Sequence, residues 1–119
     1  MGRGQSENPP SPQTFEVIVR KGAEREIQEI GEQYENERHG LGETFVFRLH
    51  ESFERLCRTP FMHAEVIPGV YRTKVHGFPY WVFYAVRSNK VQVFAVVHER
   101  RHERTWRKHV PRWAKKDRP

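Results

Sequence analysis

Residues 98–102 read His-Glu-Arg-Arg-His, the His-Glu-x-x-His spacing that zinc proteases use. That chemistry needs both histidines on one face of a helix, with the glutamate acting as base on a metal-bound water. The neighbouring residues argue against it. The run VQVFAVV (91–97) leads straight into His98, so the first histidine stands at the end of a strand. Downstream, the extended motif needs a glycine and a third histidine where Thr105 and Lys108 stand. Arg100 and Arg101 would repel a cation held between the histidines. The match is a coincidence of an Arg- and His-rich segment, and neither a metal nor any other cofactor is expected.

A second set of reactive side chains lies in VYRTKVH (70–76). Strand alternation puts Arg72, Lys74 and His76 on one face, where cations suit a phosphate and an imidazole can move a proton near neutral pH. The same three residues would also serve as the solvated face of a half-covered sheet. Arg100 and Arg101 are paired guanidinium groups of the kind that recognise phosphate or carboxylate. His98 is read first as a hydrogen-bonded strand-end residue and second as a proton-transfer group. Tyr80, Trp81, Phe83 and Tyr84 are expected mostly in the core, and Trp106 is expected to anchor the C-terminal segment against the sheet.

The chain has 119 residues, room for one domain with a single modest core. Charge is unevenly spread. Residues 1–65 hold 8 Lys and Arg against 12 Glu, whereas residues 66–119 hold 13 against 3 acids, a net of +10. A basic half of that kind points to an acidic partner, either nucleic acid or protein. The one cysteine, Cys57, favours a reducing cytoplasm. No apolar run approaches the roughly 20 residues of a membrane span, so no membrane association is expected.

These residues must be positioned by a small number of elements. Residues 1–13, with three prolines, read as a disordered leader. TFEVIVR (14–20) alternates as a strand. Ala23, Ile27, Ile30 and Tyr34 recur at helical spacing within 23–38, and Phe45, Leu49, Phe53 and Leu56 do so within 43–58. HGLG (39–42) separates the two, and Thr59-Pro60 stops the second. Runs at 70–76, 79–86 and 91–97 are strand-like, the last two joined by a short turn at 87–90. The expected fold is α+β: a two-helix antiparallel hairpin packed on a small, mainly antiparallel four-stranded sheet, in the order β-α-α-β-β-β. A short C-terminal helix would fit within 103–113. Residues 14–110 form the expected domain, and 111–119 a basic tail.

Phe78-Pro79-Tyr80 entering one strand, His98-x-Arg100-Arg101 after the last, and the trailing Trp106 carry a resemblance. The chain from Phe15 to about Trp106 resembles the ParE/RelE superfamily, toxins of bacterial type II toxin–antitoxin systems. The resemblance implies a growth-inhibiting toxin neutralised by a cognate antitoxin in a hetero-oligomer, with residues Arg100, Arg101, Arg104, Trp106 and Tyr80 at the partner or nucleic-acid surface. A RelE-like member would cleave mRNA on the ribosome, and Arg72, Lys74 and Arg100 match its basic positions, with His76 or His98 for proton transfer. Trp81 stands where that pattern carries an arginine and Trp106 where it carries a tyrosine, and an indole N–H cannot act as a general acid. These departures weaken the nuclease pattern without excluding it, and the His98-x-Arg100-Arg101…Trp106 ending looks more like ParE-like toxins, which inhibit DNA gyrase and are not known as nucleases. A basic nucleic-acid-binding module without toxicity, and a degenerate toxin that keeps only fold and antitoxin binding, are the other readings.

Overall fold

The computed structural model describes residues 14–101 and 103–116. Strand β1 (Glu16–Val19) leads into α1 (Lys21–Glu37), whose apolar stripe buries Ala23 and Ile30 and leaves the glutamates on other faces. Gly40 turns the chain with φ +89°, a left-handed conformation that suits glycine. The Glu35 carboxylate accepts hydrogen bonds from the Gly40 and Gly42 amides, at 3.0–3.1 Å, and so caps the start of α2 (Leu41–Arg58). Where the two helices approach, a Cβ on Gly42 would lie 2.5 Å from the Gly31 carbonyl oxygen. Glycine at 42 is therefore what lets the hairpin close.

A 3-10 turn at Pro60–Met62 is followed by β2 (Ala64–Ile67), β3 (Val70–Lys74), β4 (Tyr80–Arg87) and β5 (Lys90–His98). The sheet has five strands in the order β1-β5-β4-β3-β2. The expected count of four is corrected by β2, a short edge strand. Its pairing with β3 is irregular between Glu65 and Ile67, so AEVI carries no alternating signal of its own. β1 runs parallel to β5, in register from Glu16 opposite Lys90 to Val19 opposite Val93, and the other pairs are antiparallel.

Both faces of the sheet are covered. The helix hairpin packs Phe45, Leu49 and Leu56 against Val82, Tyr84, Val93 and Val96. On the opposite face, α3 (Arg104–Arg107) and α4 (Arg112–Lys116) lay Trp106, Val110 and Ala114 over Val70, Phe83, Ala85 and Val97. The Trp106 indole stacks on Phe83, with centroids 4.6 Å apart and an interplanar angle of 15°. Pairing slips between Phe83 and Tyr84, and this bulge sends both Phe94 and Ala95 to the C-terminal side. Among the described residues no helix is long and apolar enough to cross a membrane.

Candidate functional site

The register of β3 and β4 sets Arg72 opposite Phe83 and Lys74 opposite Trp81. Alternation turns Val70, Arg72 and Lys74 to the face covered by the C-terminal helices. There the Arg72 guanidinium lies 3.8 Å from the Trp81 ring centroid, and the Lys74 ammonium 5.2 Å from it. Lys74 Nζ also forms a 2.9 Å ion pair with Glu99, just past the end of β5. The hydrogen bond from Lys74 holds the Glu99 carboxyl below its usual range. The two strand cations are thus engaged by neighbours of their own chain.

Arg72, Trp81, Trp106, Arg101 and Arg107 line a cleft of about 300 Å³ on this face, with Phe83 and Val97 beneath. Arg107 Nε donates to Glu103 at 2.6 Å. Nε of Arg72 is buried and has no hydrogen-bond partner among the described residues.

The other expected residues are dispersed. The strand stops at Lys74, and His76 lines, together with Lys74 and Glu99, a groove of about 870 Å³ facing Arg55 and Arg58 of α2, not the cleft of Arg72. His98 ends β5, its Nδ1 accepting from the Arg100 amide at 3.1 Å and its ring 5.2 Å from that of Tyr80. His98 therefore does not lie on a helix, as the zinc geometry requires; His102 lies outside the described residues. Among the described residues no group of three or more His, Cys, Asp and Glu side chains is arranged to hold a metal. Tyr80 packs against Tyr34 and Phe45, and burial pushes its phenol up. Arg100 and Arg104 are exposed. Arg101 lines the cleft beside Arg72 and also a second one of about 240 Å³ with Glu26, Tyr80 and His98.

Two contributors escape sequence reading. Glu99 appears there only as the middle of a zinc-like motif, and its pairing with Lys74 depends on where β5 ends relative to β3. Glu26 carries no sequence signal. It reaches across from α1 to accept the Val96 amide at 2.9 Å, beyond Val93 where the register with β1 ends. Burial raises its carboxyl above the usual range.

A family profile described as the ParE toxin of the type II toxin–antitoxin system, parDE, matches residues 17–103. Among solved structures, the chain is similar to one from the chromosomal ParDE system of P. aeruginosa. The TM-score is 0.64 and the identity 14%, covering 72% of this chain and 97% of that one. It is also similar to the isolated E. coli RelE toxin, with a TM-score of 0.55 and 19% identity over 76% of this chain and 90% of that one. No curated protein matches. At these identities the structural likenesses concern the fold, while the profile spans most of the sequence. The chain belongs to the ParE toxin family of type II toxin–antitoxin systems.

Proposed function

We propose that this chain inhibits bacterial growth in the cytoplasm through protein–protein contact, with DNA gyrase as its target, and that a cognate antitoxin neutralises it. The observation that carries this reading is the state of the strand cations: Lys74 is paired with Glu99, and Arg72 is stacked on Trp81. Cleavage of RNA needs a group placed to take a proton from the 2′-hydroxyl and another to deliver one to the leaving oxygen. The indole of Trp106 cannot titrate usefully, and it is buried against Phe83. His76 lines a different cleft from Arg72. His98 is spent on a strand-end hydrogen bond. This arrangement suits a binding surface better than a nuclease centre.

The antitoxin is expected to bring an acidic, amphipathic segment to the basic half of the chain, residues 66–119 with a net charge of +10. Pulse labelling after induction in a bacterial host tests the target. Early loss of thymidine incorporation with intact methionine incorporation is the expected result. Early loss of methionine uptake would instead place the chain with ribosome-dependent mRNA endonucleases, and Arg100→Ala should then remove most activity. If neither falls, the toxin reading is overturned.

A further inference from the structure

The cleft between Arg72 and Trp106 has chemistry that its own residues leave unfinished. Its two acids are already matched: Glu99 by Lys74 and Glu103 by Arg107. Arg72 forms no ion pair among the described residues, and Arg101 acts on the Glu26 carboxylate only at longer range, so the cleft keeps a positive surplus. The Arg72 guanidinium carbon lies 3.8 Å over the Trp81 ring centroid, so a ligand has the terminal N–H edge or the uncovered face of the guanidinium to meet. Its Nε is buried without an acceptor among the described residues, and a buried donor of that kind is normally satisfied.

We infer that this cleft is a carboxylate-binding site that takes one Asp or Glu side chain from an acidic segment of the neutralising partner, held edge-on by Arg72 with Arg101 beside it. The guanidinium fork can hold a planar carboxylate in one plane, and a carboxylate is the anion that an acidic protein segment presents. The site rests on the reading above that the partner is an acidic protein.

The test is an NMR titration of the full chain, following the Arg72 Nε–H resonance. The probes are the peptide acetyl-Glu-Leu-Glu-Glu-Leu-Glu-amide, its Gln counterpart, inorganic phosphate and a ten-residue oligouridine. The acidic peptide should shift the resonance saturably and the Gln peptide should not. Arg72→Lys, which keeps the charge but loses the fork, should weaken acidic-peptide binding by at least about tenfold. Arg25→Lys, on the exposed face of α1, should leave it unchanged. Absence of a saturable shift in the wild-type chain overturns the site, as does equal affinity in Arg72→Lys with a native amide spectrum. A shift produced at lower concentration by phosphate or oligouridine overturns the choice of carboxylate. Failure here with growth inhibition intact removes this site alone, whereas failure of growth inhibition removes the toxin reading.

Discussion

The Tyr84 hydroxyl donates a 2.6 Å hydrogen bond to the carbonyl of Pro60, tying the middle strand of the sheet to the turn that leaves α2. Both residues are buried, and burial keeps the phenol protonated well above its usual range. Tyr84→Phe strands the Pro60 carbonyl without a donor. We expect a loss of about 1–3 kcal/mol in urea unfolding, and an unmoved midpoint would show that water replaces the bond.

Two glycines of the hairpin should respond in opposite directions. Gly42→Ala drives a methyl group against the Gly31 carbonyl, at 2.5 Å, so the helices must part. Gly31 has nothing closer than Val46, at 4.0 Å, to an added Cβ. Alanine there should stabilise by about 0.5–1 kcal/mol, because a helical glycine loses more backbone freedom on folding. Thermal unfolding of the two variants side by side distinguishes them by sign.

The C-terminal helices depend on one anchor. Trp106→Ala removes the ring stacked on Phe83 and should cost about 3–5 kcal/mol. Amide exchange should rise first over Val97 and the residues of α3. A uniform rise across the helix hairpin would mean that the back face is not a separate unit.

His63 gives the fold an acid sensitivity of defined sign. Burial first, and Arg55 second, hold its pKa below the ordinary histidine value, and its Nε2 is buried without a partner among the described residues. The folded protein thus favours the neutral ring. Its stabilising contribution is full above about pH 6.5, the unfolded value, and is lost as the pH falls through the lower folded one. Wild type should lose more stability between pH 7.5 and pH 5.5 than His63→Gln, measured by urea unfolding at each pH. Parallel losses would exclude His63 as the source.

The Lys74–Glu99 pair is nearly half exposed on both sides. Glu99→Gln should therefore leave the urea-unfolding midpoint nearly unchanged. If the chain acts by protein contact, growth inhibition by Lys74→Ala should decline gradually and not vanish, as measured by colony counts after induction.

Much of this architecture is legible in residue periodicity. The helix hairpin shows in the spacing of Ile27, Ile30 and Tyr34 and of Phe45, Leu49 and Leu56, because each helix buries one stripe. Strands β3 to β5 show because Val, Tyr and Phe are dense there. What stays hidden depends on partners distant in the chain. Ala64–Ile67 becomes a strand only because β3 is beside it, and no local pattern places Glu16 next to Lys90. The site behaves likewise. Alternation brings Arg72 and Lys74 together, but the stacking on Trp81 and the pairing with Glu99 follow from cross-strand register and from where β5 ends.

The parallel pairing of β1 with β5 also sets an order of events during synthesis. Glu16 and Lys90, which form an ion pair across these strands, are 74 residues apart. Translation at roughly 5–20 residues per second separates their appearance by roughly 4–15 s. Within that interval the helix hairpin, complete in sequence at Arg58, is made before the central strands that cover its apolar stripe. The first strand is made early and paired late, at one edge of the sheet, so the sheet is completed only once β5 has been made.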